Sequence, residues 1–226
     1  MQVFGRPDGS CNHIVAFDPE TGEVLETPGG QGFASGSSWS RGQAWVIYGF
    51  TLSYLHTGKQ AYLDTATRVA NYFISQNTDT FIPRCDFRQP PEPCILDDAA
   101  GTIAAAGFLV LASQLPEAEQ ESYVRTALKM LMAMEKAYIN WSLDNPALLT
   151  HCTSAYHDLK GRHITMDYAD YYFIEAVNML RGQDRLFWYS DSLRYGCVQI
   201  QFIWTPSFCL TFWNIQLTQT GNKNDN

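Results

Sequence analysis

The sequence predicts an all-α chain of antiparallel helical hairpins, with a small β-hairpin in front of them. Three observations support this class. Apolar residues recur with a 3.6-residue period from about residue 40, this period is absent before that point, and short turns alternate with long loops between the periodic segments. A length of 226 residues is enough for one large domain or two small ones.

The first 38 residues contain the predicted β-hairpin and a glycine-rich loop. The segment "HIVAFDPETGEVLET" indicates two short strands around the turn Pro19-Glu20-Thr21-Gly22, in which Gly22 takes the place that tolerates a positive φ. The following "PGGQGFASGSS" is a loop whose glycines allow the backbone to approach a ligand closely. Glycine loops are common, so this feature alone does not identify a site.

The next two periodic segments predict the first helical hairpin. One helix begins near residue 40 and ends at Thr57-Gly58. Its apolar stripe consists of Ala44, Trp45, Tyr48, Leu52 and Leu55. A second helix follows after only a few residues, and so short a connection is typical of an antiparallel αα-hairpin.

A proline-rich loop separates this hairpin from the next helices. Four prolines fall within eleven residues of "TFIPRCDFRQPPEPCILDD", which forbids a helix and favours a long structured loop of the kind that is often functional. The third helix then opens at Asp97 and Asp98, and its small residues allow a neighbouring helix to pack closely. Pro116 begins the fourth helix, and "MDYADYYFIEAVNML" is the fifth.

Composition excludes several classes of function. The net charge is −8 and the sequence has no Lys/Arg cluster, which argues against a nucleic-acid partner. No apolar run is long enough to span a membrane, and the first ten residues do not resemble a signal peptide. The six cysteines form no zinc motif and no phosphate-binding loop is present, so no metal or cofactor is expected. A reducing, cytoplasmic location is the expectation.

Arg41 is the first candidate for a functional residue, because it lies between Trp39 and Trp45 at the start of a helix. A helix N-terminus carries free N–H groups, and the guanidinium fork suits a carboxylate. Trp45 offers a flat apolar face for a ring, and Gln31 can both donate and accept hydrogen bonds. The alternative is that Arg41 pairs with an internal Asp or Glu and that Trp45 belongs to the core.

Acids and histidines form a second group of candidates. Asp97 and Asp98 are adjacent, and paired carboxylates can divide acid and base roles. The favoured interpretation is that one caps the helix and the other is solvated. His13 either binds a ligand or satisfies a backbone carbonyl. His157 and His163 lie in a loop, where surface positions are favoured.

Several stretches together resemble the unsaturated glucuronyl hydrolases, glycoside hydrolase family 88. The resemblance runs from about Phe4 to Trp188 and is carried by "RPDGSCNHIVAFDPETGEVL", "GGQGFASGSSWSRGQAWVIYGF", "PCILDDAAGTIAAAGFLVLA" and "DYYFIEAVNMLRGQDRLFW". The W-x-R-G-Q-x-W and R-P-D-G-S motifs are specific when they occur together. Residues 1–188 are accordingly expected to form a truncated domain of this family. Residues 189–226 have no family counterpart and are expected to be an irregular or disordered tail.

The resemblance implies a partial (α/α)6 toroid of the six-hairpin glycosidase type, about the C-terminal half of it. It implies removal of a Δ4,5-unsaturated uronic acid from an oligosaccharide by hydration of the vinyl ether, a reaction that needs a carboxylic acid and no metal. A related unsaturated rhamnogalacturonyl hydrolase, or a non-catalytic sugar-binding helical module, are the alternatives. The implied substrate-binding residues are His13, Gln31, Arg41, Trp45, Tyr156 and His157.

Two departures from the family pattern affect the expected activity. The family's two catalytic aspartates lie upstream of the R-P-D-G-S motif, so the resemblance assigns no catalytic residue to this chain. Cys11-Asn12 replaces the usual Thr-Tyr before the histidine. The sequence therefore predicts a chain that holds substrate and is inactive on its own.

Overall fold

The computed structural model describes residues 4–142 and 144–183. The predicted tail, residues 189–226, lies outside the described residues. The described residues form α-helices and short β-strands, together with one turn of 3-10 helix at Leu159–Gly161. In chain order these are β1 Ala16–Phe17, β2 Val24–Glu26, α1 Ser40–Thr57, α2 Gln60–Gln76, α3 Asp98–Ala112, α4 Glu117–Tyr138, β3 Cys152–Thr153, β4 Arg162–Ile164 and α5 Asp167–Leu180.

The helices form two layers. Helix α3 packs against α1 on one side and α5 on the other, while α2 packs against α1 and α4 packs against α3. Inner and outer helices therefore alternate along the chain, which is the arrangement of an (α/α)6 toroid. The all-α prediction is confirmed, with two short antiparallel hairpins added, β1–β2 and β3–β4. Only the first of these hairpins was predicted.

Local sequence signals predicted several helix ends correctly. Helix α1 ends at Gly58, whose φ of 65° is left-handed and whose N–H donates to the Tyr54 carbonyl at 2.7 Å. A residue with a side chain is strained in this conformation, so Gly58 stops the helix. The proline-rich stretch from residue 77 to residue 97 contains no helix, as predicted.

Helix α3 is the centre of the core, and all fifteen of its residues are buried. Its glycines and alanines leave room for the neighbouring helices. A Cβ atom on Gly107 would lie 3.1 Å from Ile47 Cγ2 and 3.1 Å from the Tyr48 backbone nitrogen. Helices α1 and α3 are thus in backbone contact at Gly107, as the small residues of α3 predicted.

Substitution of Gly107 tests this close approach. We expect Gly107→Leu to lower the free energy of unfolding by about 1–3 kcal/mol, because the Tyr48 backbone cannot move aside as a side chain would. The matched control is Gly49→Ala in α1, where nothing lies within 4 Å of the added Cβ. That variant should gain about 0.5–1 kcal/mol from helix propensity. Urea unfolding measures both, and equal effects of the two substitutions would contradict the packing argument.

No helix within the described ranges combines the length and the apolar character that crossing a bilayer requires.

Candidate functional site

Trp39, the residue before α1, connects the parts of the candidate site. Its side chain is buried in a small cluster with Cys85, Ile95 and Tyr156. The His13 ring packs on Trp39 with the ring centroids 4.3 Å apart. Trp39 therefore brings the N-terminal segment, the proline-rich loop and the segment after β3 to the start of α1, a role that the sequence did not reveal.

Arg41 lies in the first turn of α1 and is only 3% exposed. Its Nε and Nη2 atoms lie 3.0 and 2.8 Å from Asp97 Oδ2. Nη1 donates to the Tyr168 hydroxyl at 2.8 Å, and Nη2 also donates to the Thr153 carbonyl. Arg41 thus pairs with an internal carboxylate, which was the alternative that the sequence left open.

Burial and charge act in opposite directions on this ion pair. Burial alone would lower the pKa of Arg41, but the Asp97 carboxylate and the Tyr168 hydroxyl outweigh it and raise that pKa. Burial raises the pKa of Asp97, and the Arg41 guanidinium offsets part of this rise. Asp97 also accepts a hydrogen bond from the Thr153 N–H at 3.1 Å. The pair therefore joins α1, α3 and β3.

The expectation of one capping and one solvated aspartate is wrong. Asp97 occupies the N-cap position of α3, but its carboxylate is turned mainly to Arg41 and Thr153, and the Ala99 N–H in the first turn of α3 lowers its pKa less than either of these does. Asp98 is completely buried as well. The pattern of the sequence concealed this burial, because α3 is enclosed on every side and has no solvated face.

Trp45, one turn after Arg41, is 37% exposed. The prediction that it shares the inward stripe of α1 with Ala44 and Tyr48 is therefore wrong. Its ring lies 6.1 Å from the Tyr168 ring and 5.3 Å from the Tyr172 ring, both on α5. These contacts leave part of the indole surface open to solvent at the rim between α1 and α5.

Gln31 and the Tyr156-His157 pair are held together by the glycine-rich loop. Gln31 Nε2 donates to the Ser154 carbonyl at 2.9 Å, and the Tyr156 N–H donates to the Gln31 carbonyl at 2.9 Å. His157 Nε2 lies 2.7 Å from the Phe33 carbonyl, a hydrogen bond in which Nε2 carries the proton. His157 is exposed, in line with the surface position that the sequence favoured. His163 is also exposed, and its ring packs on that of His151.

The six residues implied by the resemblance thus lie around one place, at different depths. His157 and Trp45 are exposed, His13 and Gln31 are half-buried, and Arg41 and Tyr156 lie beneath them. This arrangement presents aromatic faces, amide and imidazole hydrogen-bonding groups and a buried guanidinium, which together suit a polar ring. In residues 4–142 and 144–183, no group of three or more His, Cys, Asp or Glu could hold a metal ion.

Asp86 in the proline-rich loop is a residue of the site that sequence reasoning missed. Its fully buried carboxylate accepts hydrogen bonds from the Phe33 and Ser38 N–H groups, both at 3.0 Å, and from the Ser37 hydroxyl at 2.6 Å. The Arg88 N–H adds a fourth at 2.8 Å. Asp86 therefore holds the glycine-rich loop, with Gln31 on it, against the proline-rich loop.

Gln43 anchors the R-P-D-G-S segment to α1. Its Oε1 accepts from the Cys11 N–H at 2.9 Å, and its Nε2 donates to the Cys11 carbonyl at 3.1 Å. The side-chain amide thus pairs with Cys11 as a neighbouring strand would. The glutamine of W-x-R-G-Q-x-W therefore fixes the R-P-D-G-S segment, and His13 two residues beyond Cys11, to α1.

Proteins of known sequence and structure show what this arrangement is similar to. No model of a protein family matches the chain. An unsaturated glucuronyl hydrolase of Bacillus sp. (strain GL1) is 35% identical over 190 residues, which make up 81% of this chain and 50% of the relative. An unsaturated chondroitin disaccharide hydrolase of Streptococcus pneumoniae is 30% identical over 188 residues, with 81% and 47% covered.

Solved structures agree with these relatives. The crystal structure of the unsaturated glucuronyl hydrolase from Bacillus sp. GL1 superposes with a TM-score of 0.72 at 32% identity, covering 80% of this chain and 49% of that one. The enzyme from Streptococcus agalactiae gives a TM-score of 0.73 at 31% identity, with 82% and 48% covered. The chain spans about half the length of the relatives that it matches. It belongs to the unsaturated glucuronyl hydrolase family and has the fold of a partial (α/α)6 toroid.

Proposed function

We propose that this chain binds the Δ4,5-unsaturated uronic acid end of an oligosaccharide and forms the substrate-holding side of an unsaturated glucuronyl hydrolase site. The observation that carries the proposal is the clustering of His13, Arg41 and Tyr156 on Trp39, in a chain 35% identical to such an enzyme. Gln31 is tied to this cluster through Tyr156, and Trp45 through the Tyr168 ring, whose hydroxyl accepts from Arg41. The Bacillus crystal structure is described as that of an enzyme responsible for the degradation of glycosaminoglycan, which supports a glycosaminoglycan fragment as the substrate class.

The depth of each residue indicates its role in this proposal. The open face of Trp45 packs against the sugar ring, while Gln31, His13 and His157 are close enough to the surface to hydrogen-bond its substituents. Arg41 is buried and bonded to Asp97, Tyr168 and the Thr153 carbonyl, so its role in this proposal is to hold the floor of the site, not to contact the uronate carboxylate. Tyr156 supports the pocket from below through its contact with Phe33.

Hydration of the vinyl ether requires a carboxylic acid that reaches the substrate. Three carboxyl groups that lie beneath this site, those of Asp86, Asp97 and Asp98, are all completely buried. They support the pocket and are not accessible to a sugar. We therefore expect the reacting acid to come from residues other than these.

Binding can be tested without catalysis, by calorimetric titration of the chain with an unsaturated chondroitin disaccharide. We expect saturable binding that Trp45→Ala weakens by about two- to tenfold, since an aromatic contact contributes about 0.5–1.5 kcal/mol. Trp45 is partly exposed, so this variant should retain the fold. Trp141→Ala removes another exposed tryptophan, in the loop after α4, and should bind as the unaltered chain does. Equal effects of the two variants would overturn the proposed role of Trp45.

Hydrolysis is tested by the loss of ultraviolet absorbance of the substrate double bond. We expect the isolated chain to show no rate above that of buffer, because loss of a positioned acid or base typically removes about 10²–10⁴-fold of rate. Hydrolysis by the unaltered chain would contradict this expectation. If substitution of one residue in the described part of the chain then abolished it, that part would contain the reacting acid.

A further inference from the structure

We propose that Asp98 sets the charge of the buried cluster beneath the site: it stays protonated while Asp97 carries the negative charge that holds Arg41. Asp98 is thus a positioning residue, acting through Asp97 and Arg41. This inference relies on the proposed function only in treating the cluster as part of a site, and its test uses no sugar.

The contacts of the two aspartates differ although the residues are adjacent and both completely buried. Asp97 has the Arg41 guanidinium and the Thr153 N–H as partners. Neither carboxyl oxygen of Asp98 has a hydrogen-bond partner among the residues that the structure describes. An ionised carboxylate without partners is costly to bury, whereas the protonated acid avoids most of this cost.

The groups around Asp98 supply no compensating positive charge. Asp97 on the same helix repels a second charge, and the nearest cation, Arg41 on α1, already pairs with Asp97. Tyr138 from α4 and Cys152 from β3 face Asp98, and burial raises the pKa of both, so they remain neutral. The His151 carbonyl accepts from the Asp98 N–H at 3.2 Å.

The charge state of His151 follows from its surroundings as well. Burial, and then the nearby His163, lower the pKa of His151. The imidazole is therefore neutral at the pH at which Asp98 would ionise. With Asp98 protonated, the described cluster carries one positive and one negative charge, and ionisation of Asp98 would leave one negative charge unbalanced.

The geometry predicts how stability depends on pH. Burial, and then the charge of Asp97, raise the pKa of Asp98 from 3.8 to about 7, although the nearby backbone N–H of His151 acts in the opposite direction and offsets a smaller part of the rise. A folded-state value above the unfolded one means that the folded chain binds the proton more tightly. The stabilising contribution of the proton on Asp98 is therefore complete below about pH 3.8. It is lost as the pH rises from 3.8 to about 7, and stability changes no further with this group above that range.

The test compares urea unfolding of the full chain and its Asp98→Asn variant at about pH 5 and about pH 8. We expect the unfolding equilibrium constant of the unaltered chain, relative to that of the variant, to rise about a hundredfold between these pH values. Asp64→Asn removes an exposed carboxylate on α2 and is the matched control. If this ratio of unfolding equilibrium constants changes with pH no more for Asp98→Asn than for Asp64→Asn, the proposal is overturned.

Two further measurements keep the test decisive if Asp98→Asn does not fold. Carbon-13 spectra of the aspartate carboxyl groups in the unaltered chain should contain one group that titrates near neutral pH. Arg41 lies 5.3 Å from the Trp39 ring centroid, so tryptophan fluorescence should change over the same pH range. A carboxyl spectrum in which every aspartate is ionised by about pH 5.5 contradicts the proposal. A titrating carboxyl with unchanged fluorescence contradicts the positioning role.

Discussion

Arg41→Ala is expected to lower the free energy of unfolding by about 3–5 kcal/mol. The substitution leaves Asp97 completely buried without its cation, and removing one partner of a buried ion pair typically has a cost of this size. It also removes the donors to the Thr153 carbonyl and the Tyr168 hydroxyl, which lie on β3 and α5. One substitution should therefore loosen three elements together. Urea unfolding followed by far-ultraviolet circular dichroism measures the loss.

A second arginine in the chain gives the matched control for this result. Arg125 and Glu121 form an ion pair one turn apart on α4, with both side chains 56% exposed. Exposed pairs of this kind contribute about 0.5 kcal/mol or less, so Arg125→Ala should scarcely change stability. If Arg41→Ala cost no more than Arg125→Ala, Asp97 would have to be satisfied by other groups and the ion pair could not be what joins the elements.

The unfolding data also separate stability from binding. A chain of this size that loses 3–5 kcal/mol could fail to bind sugar merely because it is unfolded. For this reason Arg41→Ala is informative about the fold, and Trp45→Ala is the better probe of the ligand. Asp97→Asn tests the same pair from the other side, because it keeps an oxygen that can accept from the Thr153 N–H but leaves the buried Arg41 guanidinium without its carboxylate.

Local signals explain why so much of the fold could be predicted from the sequence. Gly58 ends α1, Pro116 occupies the N-cap of α4, and four prolines keep helices out of the loop before α3. Each of these acts through the conformation of its own backbone or that of its neighbour. The short α1–α2 connection then predicts an antiparallel hairpin, so local rules reach as far as pairs of helices.

Contacts between distant residues could not be predicted in the same way. Asp97 is 56 positions from Arg41, and Asp86 is 48 positions from Ser38. Nothing in the neighbourhood of either aspartate distinguishes a buried carboxylate from a solvated one. Helix α3 adds to the difficulty, because a helix that is buried on all sides has no polar face whose period could reveal which aspartate points inward.

The candidate site shows a similar division. Residue chemistry alone suggested Arg41, Trp45 and Gln31, while Tyr156 required the family resemblance because it lies more than a hundred positions away. The structure joins Arg41 and Tyr156 through Trp39, and it joins Gln31 to Tyr156 through the Gln31 carbonyl, which accepts from the Tyr156 N–H. Both contacts use atoms whose partners no motif specifies. A sequence can therefore nominate such residues well before it can indicate their relative depth.

Asp86→Ala is expected to destabilise the chain by about 3 kcal/mol and to release the glycine-rich loop. The substitution leaves the Phe33 and Ser38 N–H groups and the Ser37 hydroxyl without an acceptor, and each buried donor left unsatisfied costs about 1–3 kcal/mol. Opening of the loop to water would recover part of this cost. Amide hydrogen exchange at Phe33 and Ser38 should therefore be faster in the variant than in the unaltered chain. The amides in the middle of α3 should exchange more slowly than those of the loop in both proteins.

Comparison with a second turn-forming aspartate isolates the effect of burial. Asp18 also accepts two backbone N–H groups, from Glu20 and Thr21, both at 2.8 Å, but it does so in the exposed β1–β2 turn. Asp18→Ala should lose far less stability, because water replaces the lost acceptor. Asp86→Asn should lie between the two, since its remaining oxygen can serve one pair of donors while its NH₂ group opposes the other pair. An Asp86→Ala variant as stable as Asp18→Ala would mean that the loop keeps its position without this carboxylate, and that Gln31 is held to the site by Ser154 and Tyr156 alone.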